Sequence, residues 1–357
     1  PEFNSMDNWR KVGKNILNKP IQLKLLKDIN DPYYNQLYLQ PNIKYNFYDG
    51  ALLGLRIHNR PILSRNFQFS ITPQYGTKSN ALNGTFNTRY TQYFENSTIN
   101  RIYYSLSGSN LHYAEDLSYN TFNQNITIQF RRKNLRDVGG SYLSARLLNI
   151  NRELAANDSQ TDSDKYRVFK LKYYNNKPDI IKGIKYSFGT EIANNFSKVS
   201  GEIRYRKLTA KNTQLDFRFY AGSFIKNNTD SDFFSFGLDR ANDYLFELNY
   251  IGRSESSGLL SQQFIMAEGG FKSVLDQRFA NQFLVSFNSS VGIWRWLEIY
   301  NDAAFLKNRG NDVFFGYESG IRCNFIHNIL ELYLPIYSNN GWEVTKNAYS
   351  KNVRFVL

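Results

Sequence analysis

The chain has 357 residues, 41% of them hydrophobic, with a formal net charge of +13 and a single cysteine, Cys323. One cysteine excludes an internal disulfide framework and any metal site built from several cysteines, so we interpret Cys323 as an ordinary strand residue. No run approaches ~18 consecutive apolar residues, which excludes a transmembrane helix. The basic residues are scattered and no nucleic-acid-binding module is recognisable, so we expect no nucleic acid partner.

The first part of the chain, residues 1–35, is predicted to be a connector or a short helix. Phe3, Trp9, Val12 and Ile16 have a weak helical spacing, and Pro20 is expected to end that pattern. We interpret the chain as a fragment of a longer precursor, in which this connector joins an N-terminal domain, so the absence of a signal peptide carries no information.

Residues 36–357 are predicted to form an almost unbroken series of strands. From Phe122 to Phe130 apolar and polar residues alternate, and Phe217 and Phe219 alternate with Asp216 and Arg218 in the same way. Successive side chains of a strand point to opposite faces, so each strand has an apolar face and a polar face. The predicted strands are residues 38–48, 52–57, 67–75, 82–94, 99–109, 122–132, 141–151, 166–175, 184–192, 199–208, 214–224, 283–293, 297–306, 314–325, 329–337 and 353–357.

This series predicts an all-β fold, namely a closed antiparallel transmembrane β-barrel of the bacterial outer membrane. A soluble sandwich or propeller also alternates, but its strands are usually ~5–6 residues long. The predicted strands are about twice that length, as tilted strands that cross a bilayer must be. We expect about 16 strands, within roughly 14 to 18, and a residue such as Phe219 is predicted to face lipid while Arg218 faces the lumen.

Several connections have recognisable turn chemistry. Asp49-Gly50 is predicted to be a type I′ hairpin turn, in which both residues adopt positive φ. The stretch 294–296 is predicted to be a tight turn in an interfacial aromatic belt. Residues 153–164 and 338–349 are predicted to be longer loops that face outside, whereas counting hairpins back from the C-terminus places the turn 252–258 on the periplasmic side.

The candidate structural site is the stretch from Asp243 to Ser273. It is predicted to contain two strands, 244–251 and 262–271; whether the preceding residues 233–238 form a separate strand, part of the next one or a loop strand is left open. Within it, Gly269 and Gly270 are expected to allow a bend or a close approach, since glycine in a strand lacks a Cβ. Glu268 is then expected to point inward towards a cation, with Arg253, Lys272 or a more distant arginine as candidates. The alternative is a solvated Glu268 in a wide, wet lumen.

Catalytic motifs are absent from the sequence. The three histidines do not form a HExxH motif, and no nucleophile elbow or phosphate-binding glycine loop is present. We therefore predict no catalytic, cofactor or metal site in this chain and expect its inward carboxylates to form salt bridges. The residues concerned are His58, His112 and His327 and the carboxylates Glu115, Asp116, Glu268 and Glu318.

Several sequence blocks resemble the C-terminal region of the large gluzincin-type zinc metallopeptidases of Bacteroidota. The matching blocks are residues 45–50, 243–246, 252–255, 261–264, 268–273 and 331–336, with a junction-like opening at 1–5 and 7–10. The resemblance implies an outer-membrane barrel that follows a HExxH peptidase domain. Zinc would then belong to that preceding domain, and the barrel would anchor it in the outer membrane without being catalytic itself.

Two further functions stay open at the level of the sequence. One is a porin-like transport barrel, and the other is a subunit or docking surface of a larger outer-membrane complex. In each case the expected partners are outer-membrane lipid and lipopolysaccharide, and other outer-membrane or periplasmic proteins are candidates.

Overall fold

The computed structural model describes residues 19–31, 33–134, 136, 138–155, 163–179, 181–248, 261–327, 329–347 and 349–357. Within these residues the chain is all-β, with one sheet of 18 strands and a second sheet of 2 short strands. The described helices are short 3₁₀ turns at Asp232–Phe234, Glu343–Thr345 and Tyr349–Asn352. None of the helices in the described part is long and apolar enough to cross a membrane.

The strands follow one another along almost the whole chain. They are β1 Ile21–Lys24, β2 Asn35–Asn46, β3 Gly50–His58, β4 Phe67–Gly76, β5 Leu82–Tyr93, β6 Ile99–Ala114, β7 Leu117–Phe130, β8 Gly140–Arg152, β9 Lys165–Lys177, β10 Lys182–Ile192, β11 Phe196–Leu208, β12 Gln214–Asn227, β13 Phe236–Gly237, β14 Phe279–Ala280, β15 Phe283–Trp294, β16 Leu297–Lys307, β17 Phe314–Ile326, β18 Leu330–Ser338, β19 Gly341–Trp342 and β20 Arg354–Val356.

Most of the sheet is an antiparallel meander in which each strand pairs with the next. The ladder runs from β2 to β12, passes from β12 to β15, and continues to β18, which also pairs with β19 and β20. Every strand predicted in this part of the chain is confirmed. In addition, β1 lies parallel to β2, with Ile21 opposite Asn35, so the described end of the predicted connector supplies a strand.

Two predicted strands are wrong in their described residues, and the segment 233–238, whose assignment was open, contains only a short strand. Residues 244–248 and 264–271 are turns and irregular segments, and 233–238 holds a 3₁₀ turn followed by the two-residue β13. All of them lie in the long connection between β12 and β15, residues 228–282, which we call the inserted segment. Its described parts are 228–248 and 261–282.

The two faces of the sheet differ as the alternation predicts. On β12, Phe219 is 45% exposed while the neighbouring Arg218 is 6% exposed. On β7, the side chain of Ile126 is exposed on the outer face. The hydroxyl of the next residue, Thr127, lies on the opposite face, where it donates a hydrogen bond to the hydroxyl of Ser144. Apolar side chains therefore cover one face, and polar side chains cover the other.

The polar face is strongly concave. Asp216 on β12 contacts Arg322 on β17 at 3.4 Å, although β15 and β16 lie between those strands. Three strand spacings would separate the two backbones by about 14 Å in a flat sheet. We call this polar side the concave face. Among the described residues no ladder joins β1 or β2 to β18 or β20, so closure of the sheet stays a prediction.

The meander has two ends. The inserted segment leaves and returns at the end that also carries the connections after β2, β4, β6, β8, β10, β16 and β18, which we call the insert end. The other connections lie at the far end. The predicted turn 252–258 lies outside the described residues, so its placement on the periplasmic side stays a prediction. The hairpin count behind that prediction used two strands that do not form.

Candidate functional site

The inserted segment lies across the concave face and contacts almost every strand from β6 onwards. The pairing of β13 with β14 holds its two ends together near the insert end. Its contacts with the sheet are Phe246 on Tyr119, Glu247 on Arg146, Tyr244 on Glu191, Phe234 on Lys198, Glu268 on Arg218, Gly269 on Asn288, Lys272 on Asp302 and Glu318, and Phe264 on Tyr333. The segment is thus fixed at many points inside the curved sheet.

Lys272 is the central cation of these contacts and is 3% exposed. Its Nζ lies 2.5 Å from Asp302 Oδ2 on β16 and donates to the carbonyl oxygen of Gly270 at 2.8 Å. The carboxylate of Glu318 on β17 accepts the backbone N–H groups of Lys272 and Ser273 at 2.6 and 2.7 Å. One ammonium and two backbone donors therefore compensate two buried carboxylates, which is the condition for keeping such charges in a dry interior.

Aromatic rings enclose the same ammonium. Lys272 Nζ lies 4.6, 5.1 and 5.3 Å from the ring centroids of Tyr300, Tyr333 and Phe264. The faces of aromatic rings are electronegative and attract a cation at these distances, most strongly where water is excluded. The rings therefore add to the ion pair and fix the position of Lys272.

Arg218 on β12 makes a second attachment. It donates to the carbonyl oxygens of Glu268 at 2.9 Å and Ala267 at 3.3 Å, and its Nε lies 2.8 Å from the Glu202 carboxylate. Asn288 on β15 also bonds Arg218 at 2.7 Å and donates to the carbonyl oxygen of Gly269 at 2.9 Å. Buried backbone carbonyls of a non-strand segment need such donors, which the strands supply here.

The two predicted glycines lie at close approaches, Gly269 to another part of the inserted segment and Gly270 to the sheet. A Cβ on Gly269 would lie 2.6 Å from the carbonyl oxygen of Leu238, and one on Gly270 would lie 2.8 Å from the side chain of Asn288. Gly270 also has a φ of +76°, which favours glycine. Both glycines permit close backbone approach, although in the inserted segment rather than in a strand.

Among the described residues, the carboxylate of Glu268 forms none of the predicted ion pairs. Its carboxylate accepts the backbone N–H of Gly237 at 2.9 Å and so links the two halves of the inserted segment. Lys272, one of the proposed partners, pairs with Asp302 instead, and the distant Arg218 reaches the carbonyl oxygen of Glu268 rather than its carboxylate. Arg253, the remaining candidate, lies outside the described residues.

An aromatic cluster fixes the first half of the segment. Phe246 stacks on Tyr119 of β7 with ring centroids 4.0 Å apart. Tyr244 donates its hydroxyl to Glu191 and lies 4.5 Å, ring centroid to Nζ, from Lys198. Lys198 also donates to the carbonyl oxygen of Phe234 at 3.0 Å. The described half before residue 249 is therefore also fixed against the strands.

Asp49 and Gly50 lie elsewhere, in the hairpin between β2 and β3. The register pairs Asn46 with Gly50, so the loop has three residues, and only Gly50 has a positive φ, +73°. The predicted type I′ turn is therefore wrong. A type I′ hairpin has a loop of two residues, whereas Asp49 is the last of three loop residues and is followed by a left-handed glycine.

Asp49 acts instead as a fully buried acceptor that ties hairpins together. Its carboxylate accepts hydrogen bonds from Asn46 at 2.7 Å, Ser79 at 2.8 Å and Asn83 at 2.8 Å, and lies 2.5 Å from His112 Nδ1. These groups come from three successive hairpins at the insert end. The arrangement stabilises the sheet and leaves the carboxylate no free oxygen for chemistry.

The other titratable groups of interest are separated or paired. His58 lies beside Gln40, His112 beside Asp49, and His327 beside Glu331. Within the described ranges no group of three histidine, cysteine, aspartate or glutamate residues is placed to hold a metal ion.

A further ion network, missed in the sequence, lies between the inserted segment and the far end. Arg322 on β17 lies 2.6 Å from Glu331 and 3.1 Å from Glu298, and it also reaches Asp216. A cavity of about 240 Å³ lies beside it, lined by cations such as Arg218 and Arg322 that are ion-paired. The signal that could have revealed these groups is a carboxylate on the polar face of a strand, as at Asp302, Glu318 and Glu298.

Comparison with known proteins shows similarity at the level of structure but not of sequence. No protein-family model and no curated protein matches the sequence. Among solved structures, CdiB from Acinetobacter baumannii aligns with 84% of this chain at 11% identity and a TM-score of 0.39. The chain spans 57% of the length of that structure. At this level the similarity assigns the chain to no family, and the comparisons lend no support to the resemblance to metallopeptidases.

Proposed function

We propose that this chain is an integral β-barrel of the bacterial outer membrane and serves as an anchor or scaffold there. The observation that carries the proposal is the apolar outer face, which exposes large hydrophobic side chains on nearly every long strand. Examples along the sheet are Ile43, Leu53, Ile71, Tyr90, Leu106, Ile126, Leu171, Phe188, Ile203, Phe219, Phe287, Phe305 and Phe315. Soluble proteins rarely expose contiguous apolar patches beyond a few hundred Å².

Strand dimensions support the same environment. The long strands have 9 to 16 residues, as β3 and β6 illustrate, and a strand of ~9–11 residues crosses the hydrocarbon core when tilted. In hydrocarbon an open sheet edge would leave backbone groups without partners. We therefore propose that the sheet closes in the membrane, with the concave face as the lumen.

The inserted segment favours an anchor over an open pore. It lies inside the curve of the sheet and is held by the buried ion pairs of Lys272 and Arg218, so it would occupy much of the lumen. Attachment of a peptidase domain before residue 1 rests only on the resemblance of sequence blocks and stays a prediction. The proposed partners remain outer-membrane lipid, lipopolysaccharide and neighbouring envelope proteins.

A porin-like transport function is the second candidate. It is favoured by the polar side chains of β2 to β5, which line the part of the concave face that the described inserted segment does not contact. Docking of other proteins on the outer face would use the same exposed apolar residues that contact lipid, so these residues do not distinguish docking from lipid contact.

The proposal is tested by expressing the protein in a Gram-negative host and fractionating its envelope. We expect the protein in the outer-membrane fraction, resistant to extraction by carbonate, with faster gel mobility when unheated than when boiled. Recovery in the carbonate-soluble fraction, with the same mobility before and after boiling, would refute the membrane assignment. Conductance measured in planar bilayers then separates the anchor from the porin-like barrel. An anchor with an occupied lumen should show no stable current steps of porin size.

A further inference from the structure

The charges on the concave face are distributed unevenly between its two halves. From β10 to β18 arginines are paired with carboxylates, as Arg218 is with Glu202 and Arg322 with Glu331. The strands β2 to β7 contain no aspartate or glutamate at all. This half nevertheless carries a group of arginines near the far end, which we call the arginine wall: Arg56, Arg60, Arg89 and Arg101.

Each arginine of the wall is positioned by a neutral side chain that belongs to another strand. Arg56 donates to Ser70 at 3.0 Å, Arg60 to Asn87 at 3.1 Å and Arg89 to Gln68 at 3.1 Å, while Arg101 donates to Gln129. In the described part of the chain none of the four lies within 4.0 Å of a carboxylate. The guanidinium groups are thus oriented while their charges stay uncompensated.

The four side chains form one continuous patch. The guanidinium carbons of Arg89 and Arg101 lie 5.6 and 5.0 Å from the centroid of the Tyr103 ring, so both contact the same ring. At the other side of the patch, burial and the like charges of Arg56 and Arg89 lower the pKa of Arg60. Like charges this close repel one another in the empty site, and an anion between them removes that repulsion.

Two observations suggest that the patch is built to take a ligand. The Nε of Arg60 is buried and has no hydrogen-bond partner among the described residues, and buried donors are normally satisfied. Arg89 is exposed and Arg56 and Arg101 are half-buried, so their remaining N–H groups are accessible to solute. A planar guanidinium fork binds the paired oxygens of phosphate or carboxylate groups.

We propose that the arginine wall binds a small oxyanion carrying at least two negative charges. The ligand carries phosphate or carboxylate groups that bridge Arg89 and Arg101 on one side and Arg56 and Arg60 on the other. A lipid is not the ligand, because the site lies on the polar face and offers no apolar surface for acyl chains. The site requires the curved sheet only, so it is independent of the outer-membrane assignment.

The test is isothermal titration of the full chain, purified in a zwitterionic detergent, with pyrophosphate and citrate as probes. We expect saturable binding of at least one probe, with acetate much weaker and with affinity falling as salt is added. Preference for pyrophosphate or for citrate then assigns the ligand to the phosphate or the carboxylate class. Absence of saturable binding of both probes at millimolar concentration would overturn the proposal.

Variants localise the binding. We expect Arg89→Gln to weaken the tighter probe roughly tenfold, the loss of one charge-assisted contact, and Arg89→Lys to lie between the parent and the glutamine variant. The control is Arg167→Gln, since Arg167 on β9 also bonds a neutral partner, Asn149 at 2.7 Å, but belongs to the outer face. Heat-modifiable gel mobility verifies that each variant folds. Equal loss in the Arg89 and Arg167 glutamine variants would mean non-specific charge attraction and would refute the site.

Discussion

Replacement of Lys272 by methionine tests whether the inserted segment is held by a buried ion network. The substitution keeps an unbranched side chain of similar length but removes the ammonium that lies 2.5 Å from Asp302. The side chains of Asp302 and Lys272 are 1% and 3% exposed, so the substitution leaves a buried carboxylate without its ammonium partner. Removal of one member of a buried ion pair typically costs about 3–5 kcal/mol. We expect a loss within that range for Lys272→Met.

The assay is equilibrium unfolding by urea in lipid vesicles, followed by tryptophan fluorescence, with the free energy of unfolding taken from the linear dependence on urea. A double-mutant cycle with Asp302→Asn isolates the pairwise contribution, and we expect an interaction energy above about 1 kcal/mol. The control is Lys78→Met, because Lys78 and its ion-pair partner Glu115 are 48% and 80% exposed and such pairs contribute about 0–1 kcal/mol. A loss below about 1 kcal/mol for Lys272→Met, or strict additivity in the cycle, would refute the reasoning.

Two other substitutions test the approach of the segment to the sheet. For Gly270→Val we expect a loss about 2 kcal/mol greater than for Gly310→Val, measured in the same unfolding assay. Both glycines have positive φ, but a Cβ at Gly310 meets nothing within 4 Å while one at Gly270 displaces Asn288. Equal losses of stability in the two variants would show that backbone strain, and not the contact with Asn288, causes the destabilisation. For Glu268→Gln we expect a change below about 1 kcal/mol, because the amide oxygen can accept the N–H of Gly237 in place of the carboxylate. A loss near 3 kcal/mol would instead show that Glu268 faces a cation, as the sequence predicted.

The strands were predictable because the sequence pattern that specifies each of them lies within the strand itself. Period-two alternation around Phe217 and Ile126 determines both the strand and its apolar face, and tertiary context does not alter that pattern. The turn at Trp294 to Trp296 is also confirmed, with Arg295 at a φ of +44° and Trp294 paired with Leu297. Length, spacing and side-chain type were sufficient for these elements.

The inserted segment was not predictable from local patterns. Its aromatic and aliphatic residues, such as Phe264 and Phe271, have the same strand propensity as residues of the outer sheet. They are buried against the concave face rather than exposed, and that placement depends on long-range partners such as Asp302 and Glu318. The two glycines were recognisable as sites of close approach, but the atoms that approach them come from Leu238 and Asn288, which no spacing rule connects to them.

The central claim is that the outer face of the sheet lies in lipid and the concave face does not. It is tested most directly by a nitroxide scan of β12 from Leu215 to Phe219 in lipid vesicles, in a Cys323→Ser background. Collision rates with oxygen, which concentrates in lipid, are compared with those of a water-soluble nickel chelate. We predict a period of two, with oxygen favoured at Leu215, Phe217 and Phe219 and disfavoured at Asp216 and Arg218. Uniform accessibility to the nickel chelate along β12, or the opposite phase, would contradict the account.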